Sequence, residues 1–238
     1  MSAPARLAGE ARVSGGRGAW VLAKICGVMT PRDAAAVAAA GADYMGVILS
    51  PGYSRSVAPE RALAVYEAAG VRRVGVFVDA RGEEVAGTAR ELELDVVQLG
   101  GGETAETVRE VGDAGGWEVW KTVHATAGVS PAGAAATYAA FADGVLVDSF
   151  DPRRPGGTGR PFPWRGVGRE VRAAIGSAVF VAAGGMTPEN AAAAVAALGP
   201  DVLDVSSGVE SAPGAKDPDR TRAFVRAVRS AGAGARQQ

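Results

Sequence analysis

The chain is predicted to be an α/β protein folded as a (β/α)8 TIM barrel, a parallel eight-stranded closed sheet ringed by helices. Three observations carry this expectation. Short apolar runs alternate with helix-like stretches along most of the 238 residues, and the unit repeats every thirty residues or so. The apolar runs are mostly continuous, as in strands buried on both faces of a parallel sheet. A phrase ending in aspartate recurs at helix-to-strand joints: Gly41-Ala42-Asp43, Glu93-Leu94-Asp95, Phe141-Ala142-Asp143 and Gly199-Pro200-Asp201. A doubly wound open sheet would alternate in the same way, but the Gly-x-Gly-x-x-Gly fingerprint is missing after the first strand, where a dinucleotide-binding sheet would place it.

The elements follow in order. Val21 to Gly27 reads as an apolar strand interrupted by Lys24 and stopped by glycine. Thr30-Pro31 opens a helix to Ala40, since a capping hydroxyl and a proline at the first helical position suit a helix start. Tyr44–Leu49 is a strand, Pro59–Ala69 a helix, Arg73–Val78 a strand and Gly82–Leu92 a helix. Asp95–Leu99, Thr104–Ala114 and Trp117–Val123 continue the alternation as strand, helix and strand. Ser130-Pro131 caps a helix to Phe141, followed by strand Gly144–Asp148 and a helix between Trp164 and Ile175. Strand Ala178–Ala182, a helix capped by Thr187-Pro188-Glu189-Asn190, strand Val202–Val205 and helix Pro218–Arg229 complete the set. Residues 21–230 are expected to form one barrel domain, between a flexible extension at 1–20 and a disordered tail at 231–238.

Composition narrows the function. The net charge is −1 and the acids and bases are well mixed, so no nucleic-acid or anionic-membrane partner is expected. The single cysteine forms no internal disulfide, and the apolar runs are too short to cross a bilayer. No secretory signal stands among the first residues, which predicts a cytoplasmic location.

Barrel active sites lie at the C-terminal ends of the strands. On the first strand Leu22, Lys24 and Cys26 share a face. A lysine beside a cysteine favours the thiolate; a buried cysteine next to an ion-paired lysine accounts for the same pattern. Gly184-Gly185 and Ser206-Ser207-Gly208 fall after the seventh and eighth strands, where barrels often hold phosphate, and Gly157-Thr158-Gly159 adds glycines from the loop before. A small phosphorylated substrate is therefore expected. Asp148, two residues beyond Leu146, points to the barrel axis and suits a general acid; capping the next loop is its other reading. Arg55 offers a planar fork for a carboxylate, or is a plain surface arginine.

Lys24-Ile25-Cys26-Gly27, Gly75-Val76-Phe77-Val78, Val97-Gln98-Leu99, Val147-Asp148-Ser149, Ala183-Gly184-Gly185 and Asp204-Val205-Ser206-Ser207-Gly208-Val209-Glu210, with Lys216-Asp217 after it, stand in an order that resembles the phosphoribosylanthranilate isomerase family. The resemblance covers Leu22 to Arg229. It implies a (β/α)8 barrel that performs the Amadori rearrangement of N-(5-phosphoribosyl)anthranilate in tryptophan biosynthesis, with no metal or organic cofactor. By the same likeness Cys26 is the general base and Asp148 the general acid; Lys24, on the same strand face as Cys26, would help keep the sulfur ionised. Arg55, Lys24 and Gln98 would be on the substrate side, and Gly157, Gly159, Gly184, Gly185, Ser206, Ser207 and Gly208 would hold the phosphate. The assembly expected is a monomer or homodimer. Two departures stand out. Gly100 replaces the histidine usual after Gln-Leu, and the lone His124 on the next strand is placed to refill part of that space; Pro163 replaces an aspartate. A paralogous isomerase of another phosphorylated aldosylamine or sugar, or a non-catalytic phosphate-binding barrel, are the competing readings.

Overall fold

The computed structural model describes residues 20–125, 130–148 and 166–234. Strands β1 (Leu22–Cys26), β2 (Tyr44–Ile48), β3 (Arg72–Phe77), β4 (Val96–Leu99), β5 (Glu118–His124), β6 (Gly144–Asp148), β7 (Val179–Ala183) and β8 (Val202–Val205) pair in sequence order, and β8 returns to β1. Every pairing around this ring is parallel. The sheet is thus the closed barrel, not the open alternative. Helices α1 (Pro31–Ala39), α2 (Pro59–Glu67), α3 (Gly82–Glu91), α4 (Ala105–Asp113), α5 (Ala132–Tyr138), α6 (Val167–Ile175), α7 (Ala191–Leu198) and α8 (Pro218–Gly234) follow the strands in turn. Between β8 and α8 lie a 3-10 turn (Ser207–Val209) and a hairpin of β9 (Glu210–Ala212) and β10 (Ala215–Lys216).

Local chemistry starts the helices. Thr30 Oγ1 accepts the Asp33 N–H at 3.1 Å with Pro31 at the first helical position, and Thr104 does the same for Thr107. Two starts differ from expectation. Ser130 Oγ binds Glu170 at 2.6 Å and the cap falls on Pro131, so α5 is shorter than predicted and ends at Tyr138. Asn190 Oδ1 accepts the Thr187 N–H, closing a turn that delays α7 to Ala191. At the other end, α8 runs to Gly234, beyond the predicted boundary at residue 230. The small residues that suggested a tail allow contact instead: a side chain at Gly232 would sit 3.0 Å from the Val21 nitrogen, and Arg229 donates to the Val21 carbonyl. Residues 1–19, residues 235–238, the Gly157 and Gly159 loop and Pro163 lie outside the described residues.

Alternation along the strands makes two cores. Ala23, Ile25, Met45, Val47, Leu203 and Val205 face outward beneath the helices. Tyr44, Val74, Val96, Trp120, Leu146 and Val202 fill the lumen. There Tyr44 and Trp120 meet edge to face at 5.0 Å, and Gly144 leaves room for the indole, because a Cβ would come within 2.8 Å of it. Arg72 and Glu118 satisfy both aromatic polar groups: Arg72 donates to Tyr44 Oη at 2.6 Å, and Glu118 accepts from Trp120 Nε1 at 3.0 Å.

The aspartate repeat is a set of clamps at the N-terminal end of the barrel. The carboxylates of Asp43, Asp95, Asp143 and Asp201 accept the backbone N–H of Ala23, Arg73, Val119 and Phe180 respectively, at 2.7 to 2.9 Å. Each precedes an even-numbered strand and ties down the odd-numbered strand before it. Among the described residues no helix is long and apolar enough to cross a membrane.

Candidate active site

The inward register determines which side chains reach the C-terminal mouth. Leu22 and Cys26 pack with the lumen cluster while Ala23 and Ile25 lie outside, so Lys24 is inward too. Val202 and Leu146 are lumen residues, which turns Asp204 and Asp148, two positions further on, to the same side. Cys26 and Asp148 therefore share one mouth, as the alternation predicted.

Beneath them lies a buried ion pair. Lys24 and Asp204 are register partners, and Lys24 Nζ is 3.0 Å from Asp204 Oδ1. Burial works against the ammonium, but the Asp204 carboxylate and the Cys26 sulfur more than offset it and raise the lysine above its ordinary value. Being fully buried, Lys24 is not placed to touch a ligand as expected. Its effect on the sulfur is also smaller than expected. Burial pushes the Cys26 thiol up; Lys24 pulls it back, Asp204 adds to the rise and Lys216 lowers it, and the balance stays above the usual thiol range. Asp204 offsets much of the field that Lys24 would otherwise exert. Asp148 is also raised: burial dominates, His124 and Lys24 oppose it, and Asp204 reinforces it. A raised carboxyl keeps its proton further towards neutrality, which is what an acid donor needs.

Arg55 is more than a surface arginine. Its Nε and Nη2 grip both oxygens of Glu210 at 2.7 Å. Lys216 Nζ shares Glu210 Oε1 at 2.8 Å and donates to the Ser206 carbonyl at 3.1 Å. Burial alone would raise the Glu210 carboxyl, but the hydrogen bonds from Arg55 and Lys216 hold it at about 2. The fork predicted for a ligand carboxylate thus already binds one, although Nη1, which donates to Ser54 at 3.3 Å, has a further N–H to offer.

The loops after β7 and β8 meet in a cleft of about 440 Å3 that is lined by Arg55, Gly185, Thr187, Ser207 and Gly208 among others. Gly184 and Gly185 have φ of +93° and +63°, a backbone that side chains rarely adopt. A Cβ on Gly208 would come within 1.9 Å of the Met186 carbonyl, so only glycine lets the two loops touch. Asn190 Nδ2 donates to the Gly185 carbonyl at 2.9 Å, and Arg220 holds the Gly208 carbonyl through Nε and Nη2. Gly184 and Ser206 directly precede cleft residues at the strand ends without lining the cleft themselves. Gly157 and Gly159 are outside the described residues.

Gln98 is inward on β4 and buried. Its Nε2 donates to Thr122 Oγ1 at 3.3 Å, while among the described residues its Oε1 has no hydrogen-bond partner. Sequence reasoning gave no site role to Asp204, Glu210 or Lys216, which entered only through the motifs of the resemblance, and read Asn190 only as part of a helix cap. Strand alternation alone would have placed Asp204 inward, while the charges flanking Pro213-Gly214 carried no signal of where the hairpin folds. Among the described residues no group of three His, Cys, Asp or Glu side chains converges as a metal site.

A closed (β/α)8 barrel with Cys26 and Asp148 at its C-terminal mouth, beside a glycine-rich cleft, has the layout of a barrel enzyme whose site lies at that end. The chain belongs to the N-(5'-phosphoribosyl)anthranilate isomerase family. The family model described as N-(5'phosphoribosyl)anthranilate (PRA) isomerase matches residues 23–227. The N-(5'-phosphoribosyl)anthranilate isomerase of Cereibacter sphaeroides is 41% identical over 221 residues, covering 89% of this chain and 100% of the relative. The crystal structure of phosphoribosyl anthranilate isomerase from Thermotoga maritima superposes with a TM-score of 0.79 at 33% identity, over 88% of this chain and 99% of that one. A crystal structure of the isomerase in complex with reduced 1-(o-carboxyphenylamino)-1-deoxyribulose 5-phosphate gives 0.76 at 31% identity, with the same coverage.

Proposed function

We propose that the protein is an aldose–ketose isomerase that converts N-(5'-phosphoribosyl)anthranilate to 1-(2-carboxyphenylamino)-1-deoxyribulose 5-phosphate in tryptophan biosynthesis. Beyond family membership, the observation that carries this reading is the pairing of Cys26 with Asp148 on the inward register of one mouth. Asp148 protonates the furanose ring oxygen, and the C1–O bond opens to an iminium. Its positive charge acidifies the C2 proton, which the Cys26 thiolate removes, and the resulting enolamine tautomerises to the ketone.

The raised Cys26 makes the thiol the resting form, so the productive species, thiolate with carboxylic acid, is a minor one. Lys24 increases its share by opposing the burial of the sulfur. The iminium cation adds to that pull at the moment the proton must leave. Backbone N–H groups around Gly185, Ser207 and Gly208 hold the phosphate, with Gly184 and Ser206 setting the turns. Gln98 Oε1 accepts a substrate N–H or O–H, which supplies the partner it lacks. Arg55, steadied by Glu210, offers its remaining N–H groups to the anthranilate carboxylate.

The test is complementation of a tryptophan auxotroph lacking this isomerase, paired with assays of purified enzyme. Wild type restores growth, while Cys26→Ala and Asp148→Ala lower turnover by about 10²–10⁴-fold. Failure of the wild type to turn over the substrate overturns the reading.

A further inference from the structure

The residue at the mouth that the chemistry above leaves unused is the chain's only histidine. Resting on the reading of Asp148 as the general acid, we propose that His124 is a positioning residue for that acid. It stands beside the carboxyl on the adjacent strand and favours its ionised form, and so sets how readily Asp148 releases its proton.

The geometry points there in three ways. His124 and Asp148 are direct partners in the parallel register of β5 and β6, on strands about 4.8 Å apart. Both side chains continue the inward face, since Trp120 lies in the lumen below His124 and Leu146 below Asp148, and Thr122 between them bonds the inward Gln98. Finally, His124 is exposed while Asp148 is half-buried, so the imidazole lies open to solvent beside a carboxyl that is partly shielded from it.

The charges acting on Asp148 from the described elements are few. Lys24 on β1 and Asp204 on β8 face it together, but they are bound to each other at 3.0 Å and act in opposite senses. His124 on β5 is the described group whose pull on Asp148 is not offset in that way. Protonated, it stabilises the carboxylate left when the ring oxygen takes the proton. Gly100, directly after β4, contributes no side chain to this part of the rim, where the family resemblance leads one to expect a histidine. The imidazole here comes from the next strand and acts on the acid.

The experiment follows the Asp148 carboxyl directly, by NMR titration of protein labelled with 13C at the aspartate carboxyls, its signal assigned by its loss in Asp148→Asn. In His124→Ala the Asp148 titration moves to higher pH, because the pull that favoured the carboxylate is gone; in His124→Arg, which carries a permanent charge, it stays at or below the wild-type position. The limb of the kcat/KM profile that follows Asp148 moves in the same directions. A purely structural role would lower the profile without moving either limb. His124→Gln, similar in size and uncharged, behaves as His124→Ala. An Asp148 titration identical in wild type, His124→Ala and His124→Arg overturns the proposal. Full activity in Asp148→Asn would instead overturn the acid assignment, and the titration would still decide whether His124 acts on that carboxyl.

Discussion

Cys26 Sγ and Lys24 Nζ crowd against Gly46 on the neighbouring strand. A Cβ built there would lie 3.0 Å from the sulfur, 3.2 Å from the ammonium and 3.3 Å from Cys26 Cα. The last of these is backbone and has little freedom to move, so a methyl group at Gly46 displaces the thiol, the ammonium or both. Misplacement of a reacting group by about 1 Å costs on the order of 10²-fold in rate, and the contacts here call for a shift of a few tenths of an ångström. Gly46→Ala is therefore expected to lose kcat/KM by several-fold, less than about 10²-fold, while KM changes little. Steady-state kinetics check it, with the pH dependence of Cys26 alkylation showing whether the sulfur has left the ammonium. Unchanged kinetics would mean that the thiol's position against Lys24 is not critical. Gly46 is one apolar-strand glycine among several in the sequence, and nothing local sets it apart. Its importance arises only from the β1–β2 register, which pairs it with Cys26.

The hairpin of β9 and β10 binds the β2–α2 loop to the end of β8 through one carboxylate that serves two cations. Glu210 meets Arg55 twice and Lys216 once, and its folded value of about 2 lies below the ordinary 4.5. For a depressed carboxyl the stabilisation is fully present above the ordinary value and is lost as pH falls towards the folded one. Wild type is thus expected to lose urea stability faster than Glu210→Gln between pH 4.5 and about 2. Their difference is constant above that window and shrinks within it. Urea midpoints measured across the range check this; parallel curves would show that the latch contributes no acid sensitivity. The element was hard to see in the sequence because its strands are three and two residues long. Pro213-Gly214 reads as a plain turn, and only long-range pairing with Arg55 gives the flanking charges a purpose. The eight barrel strands, by contrast, were legible because each is a self-contained apolar run. The same difference separates Cys26 and Asp148, placed by alternation alone, from the Arg55–Glu210 clamp, whose partners lie 155 positions apart.

At the scale of the whole barrel, the aspartate clamps and the proposed chemistry lie at opposite ends. The aspartate phrase that marked the fold in the sequence does its work at the N-terminal end, away from Cys26 and Asp148. Asp143 shows the arrangement: its carboxylate accepts the Val119 N–H at 2.9 Å, its N–H donates to the Val119 carbonyl, and its carbonyl accepts the Val179 N–H. One residue before β6 thereby ties β5 to β7. Asp43, Asp95 and Asp201 repeat this with their own neighbours, the last reaching Leu22 and so closing the ring. Replacing Asp143 with alanine keeps the backbone links but leaves the Val119 N–H without its acceptor, at a cost of about 1–3 kcal/mol. Asp143→Ala should therefore lower the thermal midpoint by several degrees while kcat/KM, measured well below that midpoint, stays within about twofold of wild type. A fall in kcat/KM under those conditions would show that the clamp ring also sets the geometry of the mouth, and that the two ends of this barrel are not independent.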